Sequence, residues 1–571
     1  MDILLVAGAL NSLCQRVYAE LADRGHRLDV VLASHGDDAV RAAVREFGPD
    51  LIVAPMLKTA VPEDIWREHT CLIVHPGPPG DRGPSSLDWA IAEGVPRWGV
   101  TVLQAEAGMD AGDIWASVPF AVRPVGKSDL YRGEVSDAAV AAVLQAVERY
   151  AGGSYKPQRQ SDPSVEVVRR EFFRQERRRI DWHKDDTDTV LRKLRGADSQ
   201  PGVRDTLLGQ ELFLHGGYPE DALRGRPGEL LATRHGAVCR ATRDGAVWIP
   251  ELRPRRVSGD PHPFRRPATD VLGDRLRGVP EVPVPLELPA QRRTWADIRY
   301  RQRGDVGFLT FSFPGGAMSS EQCRRLLAAY RHALERPTPV LVLSGGRDFF
   351  SNGIHLGVIE AAADPAGESW TNLNAMNDLV EAVLRTTDRL VVAALGGNAA
   401  AGGVMLALAA DEVWCRTGAV LNPHYRRMGL YGSEYWTYSL PRRAGAETAA
   451  RLVREALPVS SVSAARLGLV DRLVPAAPSA FGHDVDRLAA TLARSADLRE
   501  RLDAKRARRE RDESRRALTE YRRDELARMR RIFFTPDAPY HALRSAFVRK
   551  VPSGSPRPLA LAASEDGTVT P

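Results

Sequence analysis

In the first 120 residues, short unbroken apolar runs alternate with stretches whose apolar residues recur at helical spacing. The runs 2–7 (DILLVA), 28–33 (LDVVLA), 50–54 (DLIVA), 71–75 (CLIVH) and 99–104 (GVTVLQ) predict buried strands, and segments 13–24 and 38–47 predict amphipathic helices between them. Strand–helix alternation of this kind implies an α/β layer structure, a parallel sheet covered on both faces. The turn after the first run, Gly8-Ala9-Leu10-Asn11-Ser12, lacks the GxGxxG spacing of a dinucleotide site, so the fold is Rossmann-like without the nucleotide fingerprint.

Beyond residue 150 the pattern changes three times. Residues 151–179 are polar and Arg-rich and read as a linker followed by a helix. Short β-like runs from 180 to about 255 (ELFLH, GELLAT, AVCRAT, AVWIPEL) predict a small β barrel-like domain. A proline-rich stretch (PRRVSGDPHPFRRP, VPEVPVPLELP) reads as an extended linker. A second α/β unit starts near 296, with strand-like GFLTFSF, VLVLSGG and LVVAALGG and long helices after 440. The expected division is therefore 1–160, 161–256, a linker at 257–295, and 296–571. The charged stretch 501–534 mixes acids with bases throughout, which predicts a solvated or subunit-contacting helix and not a nucleic-acid arm.

Composition narrows the function classes. The net charge of +6 is small for 571 residues, and only seven of the 79 basic residues are lysine, so the pI near 9.1 does not indicate nucleic-acid binding. Five scattered cysteines without a CxxC pair exclude a disulfide framework or a zinc ribbon and fit a reducing compartment; no metal site is expected. The opening MDILLVAGALNS has no basic n-region or signal-length apolar stretch. Segment 390–410 is long enough for a membrane span, but its Ala/Gly content predicts tight packing inside an enzyme core. These features predict a cytoplasmic protein with neither nucleic-acid nor membrane partners.

The first chemical constellation is the turn-rich segment Val74-His75-Pro76-Gly77-Pro78-Pro79-Gly80-Asp81-Arg82-Gly83-Pro84-Ser85-Ser86, followed by GVTVLQAEAGMDAGDIW from Gly99. Ligands of parallel sheets bind beyond the carboxyl ends of strands, where a histidine and an aspartate from two strand ends can meet. The carboxylate would orient the imidazole and stabilise its protonated form during acyl transfer. The order His-Pro-Gly, RGPSS, then G-V-T-V-x-Q and G-M-D-A-G-D-I resembles the formyltetrahydrofolate-dependent formyltransferases, over about residues 1–255. The resemblance implies His75 and Asp110 as catalytic residues, with Asp113 holding the loop. It also implies that Pro55, Met56 and Leu57 lie where the folate pterin meets loop backbone. Where that family has asparagine two residues before the histidine, this chain has Ile73, which removes a side-chain donor to the formyl oxygen and hands the oxyanion to another group.

The second constellation comprises GGRDFFSNGIHL (345–356) and ALGGNAAAGGVM (394–405), two glycine-containing strand-to-helix turns. Such turns can aim two backbone N–H groups at one carbonyl oxygen, because glycine permits close backbone approach. Together with EALPVSSVSAARLGLVDRLVP (455–475), they resemble the crotonase, or enoyl-CoA hydratase/isomerase, superfamily across roughly 296–560. The resemblance implies an oxyanion hole from the N–H groups of Ile354 and Gly402, with Gly353 and Gly403 shaping a coenzyme A site. The two glutamates that handle protons in hydratases are replaced by Met405 and His424, which disfavours hydration. The segment 421–436 (LNPHYRRMGLYGSEYW) instead offers Tyr425, Glu434 and Tyr435 as proton carriers, ranked ahead of His424.

A half that draws formyl groups from 10-formyltetrahydrofolate and a half that polarises coenzyme A thioesters share one compound, formyl-CoA. It has no α-carbon, so what remains for the second half is cleavage to carbon monoxide and coenzyme A. The whole arrangement, with DRGPSSLDWAI, LNPHYRRMGLYGSEYWTY and YHALRSAFVRK, resembles a family of hydrogenase maturation factors. That resemblance implies supply of the CO ligand of NiFe hydrogenases and hydrogenase maturation proteins as partners. The alternative reading is a formyl-folate transferase or hydrolase whose second half is only a binding or oligomerising module.

Overall fold

The first six long strands form one sheet, in the order Arg27–Leu32, Asp2–Ala7, Leu51–Ala54, Cys71–His75, Arg97–Gln104, Ile114–Ala121. The computed structural model describes residues 1–552, 554–555 and 557–559, so the end of the expected 296–571 region, 560–571, lies outside the described residues. Asn11 starts the first helix, Ser12–Ala22, by accepting the Cys14 N–H on its side chain, and Gly48 ends helix Asp37–Phe47 in the left-handed region.

The expectation of an all-parallel sheet fails at its second half. Four strands are parallel, but Arg97–Gln104 runs antiparallel to Cys71–His75, and Ile114–Ala121 antiparallel to it in turn. The short connection 105–113 accounts for the second of these pairs, because an antiparallel pair can be joined by a hairpin, whereas a parallel pair needs a long crossover; the first is joined by 76–96, which carries helix Ser86–Glu93.

The chain divides into two compact units. One holds Met1–Pro283, Arg293–Trp295 and 554–559; the other holds Val284–Arg292 and 296–552. In the first, strands between Val203 and Pro267 form two four-stranded antiparallel sheets. Strands Ala246–Ile249 and Glu251–Pro254 belong to different sheets and are separated by Pro250 alone, and Val203, Leu214, Val238, Ile249 and Leu252 from both sheets share one core. The stretch 257–295 is not simply an extended linker. Its helix Ala268–Leu272 buries Ala268, Val271 and Leu272 in that same core, and Trp295 packs beside Trp248.

The second unit is a spiral of strand pairs. Strands Val306–Phe311, Val340–Ser344, Leu390–Leu395, Glu412–Arg416 and Arg472–Val474 form a parallel sheet, edged by antiparallel Ile298–Arg303. After three of them the chain turns at once into a second sheet, as Phe349–Ser351, Asn398–Ala400 and Val420–Asn422, also parallel. The Ala/Gly-rich stretch 390–410 supplies one such pair and the fully buried helix Gly402–Leu408. Among the described residues, no helix is long and apolar enough to cross a membrane.

Candidate active sites

His75 closes its strand buried, at 5% exposure, with a carboxylate at each ring nitrogen. Its Nδ1 lies 3.4 Å from Asp110 Oδ1, and its Nε2 lies 3.0 Å from Asp81 Oδ2. The expected pair therefore meets, but not by the expected route. Gln104 registers with Leu72 and Thr101 with His75, so the loop 105–113 begins at the far end of the histidine's strand and folds back. Three features hold it there: the left-handed backbone of Asp110 (φ +52°), the Gln160 amide donating to the carbonyls of Asp110 and Gly112 at 2.8 Å each, and the missing side chain of Gly112. A Cβ on Gly112 would sit 1.8 Å from the Gln104 carbonyl oxygen. Asp113 contributes its backbone carbonyl, which accepts the Gln104 N–H at 2.9 Å.

Asp81 is the residue that sequence reasoning missed. It sits in a two-residue strand, Asp81–Arg82, paired in parallel with Val168–Arg169 from the stretch read as a linker. Arg170 Nε donates to Asp81 at 2.7 Å, and the same guanidinium reaches Glu93 at 2.7 Å. The available signal was the flanking glycines: a Cβ on Gly80 would lie 2.0 Å from the Glu166 carbonyl, and one on Gly83 would lie 2.2 Å from that of Arg170. Paired glycines this tight mark a close backbone approach. Gly77 is equally constrained, since a Cβ there would lie 2.3 Å from His75 Nε2.

Burial is the largest influence on His75 and pulls its pKa down, but the two carboxylates outweigh it and take the imidazole up to about 9. Burial pushes the Asp81 carboxyl up, and hydrogen bonds from His75, Ser86 and Arg170 hold it below its ordinary value all the same. At neutral pH the site is thus an imidazolium between two carboxylates. Ile73, two residues earlier on the same strand face, packs, as do Leu57, Trp66 and Ala105, against the apolar cluster that includes Ile52, Ile65 and Cys71, and offers no donor. Pro55 is buried, Met56 accepts the Gly8 N–H at 2.9 Å, and Leu57 joins the Ile73 cluster, so these loop residues stand at the carboxyl ends of the parallel strands.

In the second unit the two glycine turns lie side by side. Gly353 has φ +79°, and a Cβ on it would approach Gly402 N to 3.2 Å. The first turn is pinned by Met318 N–H to the Gly353 carbonyl (2.9 Å) and by His355 N–H to Asn372 Oδ1 (3.0 Å), which fixes the peptide of Ile354 between them. Gly402 opens its helix, so its N–H is among the donors with no acceptor inside that helix. Gly403 has no room for a side chain, with the Ser351 carbonyl 2.0 Å from its Cβ position.

Glu434 is brought to this place by strained backbone. Both Glu434 and Tyr435 are left-handed, at φ +59° and +60°. The Glu434 carboxylate is buried, with Oε1 only 2.6 Å from where a Gly402 Cβ would be, while Oε2 accepts the Tyr425 hydroxyl at 2.8 Å. Burial pushes the Glu434 carboxyl up to about 8; the Tyr425 hydrogen bond opposes this and the charge of Glu525 adds to it. Burial and the adjacent carboxylate hold the Tyr425 phenol well above its ordinary value.

Two of the expected proton groups are placed otherwise. The Tyr435 hydroxyl donates to Glu381 at 2.8 Å, beside Arg522, and so is a strut between helices and not a partner of Glu434. Its left-handed backbone sends consecutive side chains in different directions, which no spacing argument reveals. His424 donates from Nδ1 to the Asn422 carbonyl at 2.8 Å, and burial lowers its pKa, so it stays a neutral hydrogen-bonding group. Met405 is core.

Comparison with known proteins follows this geometry. Residues 18–147 match the formyl transferase family, 173–259 the formyl transferase C-terminal domain, and 304–535 the enoyl-CoA hydratase/isomerase family. The methionyl-tRNA formyltransferase of Bacillus licheniformis is 27% identical over 223 residues, 38% of this chain and 70% of the relative. The hydrogenase maturation factor HoxX of Bradyrhizobium diazoefficiens is 48% identical over 565 residues, covering 98% of this chain and 97% of the relative. The crystal structure of HypX from Aquifex aeolicus in complex with tetrahydrofolic acid superposes with a TM-score of 0.94 at 42% identity, covering 100% of both chains. A likeness this long takes in both glycine-turn sites and the histidine site in one polypeptide, and the chain accordingly belongs to the HoxX/HypX family of hydrogenase maturation factors.

Proposed function

We propose that the first unit moves the formyl group of 10-formyltetrahydrofolate to coenzyme A and that the second splits formyl-CoA into CO and coenzyme A, supplying the CO ligand of a NiFe hydrogenase. In the first step the thiol sulfur bonds to the formyl carbon, the bond from that carbon to N10 breaks, and the thiol proton ends on N10. His75, protonated at neutral pH, is the acid that faces the departing nitrogen, and Asp110 orients it and stabilises its charge. Ile73 cannot polarise the formyl oxygen, so that role passes to a donor other than the side chain at this position. Support for folate as the donor comes from the tetrahydrofolate-bound HypX of Aquifex aeolicus.

In the second step the N–H groups of Ile354 and Gly402 polarise the thioester carbonyl. The formyl C–H proton passes to the Glu434 carboxylate, its electron pair stays on carbon, and the C–S pair leaves with sulfur. The products are CO and a thiolate, which takes the proton back from Glu434. Tyr425 holds the carboxylate in place. One observation carries this reading: a buried carboxylate lies against Gly402, in a hole that has lost both hydratase glutamates. A pKa near 8 lets one group both accept and return a proton near neutrality.

The test is to mix purified protein with 10-formyltetrahydrofolate and coenzyme A and follow CO as a haem-carbonyl spectrum. Stoichiometric CO is expected. Tetrahydrofolate release without CO, even when formyl-CoA is supplied directly, would favour the reading in which the second unit only binds or oligomerises.

A further inference from the structure

Glu525 lies on helix Leu518–Phe534, inside the stretch whose charge pattern predicts a solvated or subunit-contacting helix, yet it is 1% exposed. Among the described residues it makes no ion pair with an arginine. Its carboxylate accepts the N–H groups of Tyr435 and Thr437 at 2.9 Å each and the Thr437 hydroxyl at 2.6 Å. These donors belong to the start of helix Trp436–Ala444, whose own N-cap residue, Tyr435, has no side-chain cap. A carboxylate from another helix thus does the work of an N-cap, at the end of the helix where negative charge is favoured.

The residues just before that cap are the strained ones. A left-handed backbone is costly for a residue with a Cβ and persists only where its surroundings enforce it. Here two consecutive non-glycine residues adopt it. Asn377 takes the Glu434 N–H at 3.2 Å on one side, and Glu525 takes the Tyr435 N–H on the other. We propose that Glu525 is a positioning residue for CO release: by capping helix Trp436–Ala444 from outside, it holds the left-handed pair that points the Glu434 carboxylate at Gly402. The proposal rests on the reading that Glu434 carries the formyl proton.

Glu525 also acts through its charge. The ionisable groups facing Glu434 are Tyr425 from turn Tyr425–Met428, Cys323 from helix Ser320–Leu334, and Glu525. Burial raises the Glu525 carboxyl itself to about 7, and once ionised it brings like charge, which disfavours the ionised form of Glu434. Removing it lowers the Glu434 pKa, so the acid limb of the CO-release profile moves to lower pH. A purely structural role would leave that limb where it is.

The experiment supplies formyl-CoA to the full-length protein and measures CO for Glu525→Gln, Glu525→Asp, Thr437→Val and Glu434→Gln. Glu525→Gln is expected to lose at least ~10-fold in kcat with KM within about threefold, as misplacement of a reacting group does, and to shift the acid limb downward. Glu525→Asp keeps the charge and recovers the pH profile but not the rate. Should Glu525→Gln fail to fold, Thr437→Val, which removes one anchor, must still lower kcat at unchanged KM. Parental kcat and an unmoved limb in Glu525→Gln or, failing that, parental kcat in Thr437→Val, with Glu434→Gln inactive, overturn the Glu525 proposal alone. Parental CO release by Glu434→Gln overturns the reading beneath it.

Discussion

Two buried ionisable groups, one in each unit, have their pKa values raised, with opposite consequences. His75 rises to about 9 because two carboxylates outweigh its burial, and it becomes charged at neutral pH. Glu434 rises to about 8 because burial dominates and its charged neighbour is another acid, so it holds its proton for much of the time. The same direction of shift thus makes a standing cation in one place and a carboxyl able to exchange its proton near neutrality in the other. At His75 the neighbouring charges override burial, whereas at Glu434 burial itself sets the direction and the neighbouring charge only adds to it.

The sharpest way to break this comparison is to exchange the assays. His75→Ala and Asp110→Asn should lower tetrahydrofolate release by at least ~10²-fold, the usual scale of acid–base catalysis, while CO release from supplied formyl-CoA stays near parental. Glu434→Gln should do the reverse. If either variant damages both half-reactions equally, the sites are not the independent chemical centres described.

The glycines test geometry without touching an ionisable group. Gly77→Ala puts a methyl 2.3 Å from His75 Nε2 and 2.4 Å from Asp81, and should cost roughly 10²-fold in tetrahydrofolate release by displacing the imidazole. Gly402→Val should abolish CO release through the same kind of clash, with Glu434. A crystal structure of Gly77→Ala with His75 still paired to both carboxylates would contradict the cause, whatever the rate.

The two tyrosines separate contact from proximity. Tyr425→Phe removes the hydroxyl on Glu434 and should lower CO release about tenfold, the worth of one hydrogen bond to a charged group. Tyr435→Phe removes a bond to Glu381 and should change the rate less than about threefold, with any effect appearing as a lower Tm. Equal losses would restore Tyr435 to the site.

The smallest effect concerns stability against pH. The folded pKa of His75 lies above its unfolded value of 6.5, so its contribution is complete below pH 6.5 and is lost as pH rises through about 9. The difference in Tm between the parent and His75→Gln should therefore be largest below pH 6.5 and shrink toward pH 9. A difference that grows across that window would invert the sign assigned to the carboxylate pair.

Much of the architecture was legible because it is local. Unbroken apolar runs marked five of the six strands of the first sheet, and glycine spacing gave the turns at 353 and 402 together with the buried nature of 390–410. The pairing of His75 with Asp110 was legible as a motif, although the antiparallel strand between them was not, because run length carries no direction. Asp81 was hidden since its second partner, Arg170, lies 89 residues away in a polar stretch. Glu525 was hidden more deeply, 90 residues from the backbone it caps and surrounded by charges that do face water. A period count averages over such a residue; only the tertiary fold singles it out.

The strands Phe349–Ser351 and Asn398–Ala400 are hydrogen-bonded neighbours, and each leads within a few residues to one of the two proposed N–H donors, Ile354 and Gly402. Adjacent strands are held about 4.8 Å apart by their own ladder. Two donors each about 2.9 Å from a shared acceptor need a separation of that order. The sheet spacing therefore acts as a gauge block: it sets the gap for one carbonyl oxygen before any side chain is chosen. The proposed reacting groups, Tyr425 and Glu434, ride on the segment that follows strand Val420–Asn422, so the chemistry proposed for this half can be rewritten there while the gauge stays true.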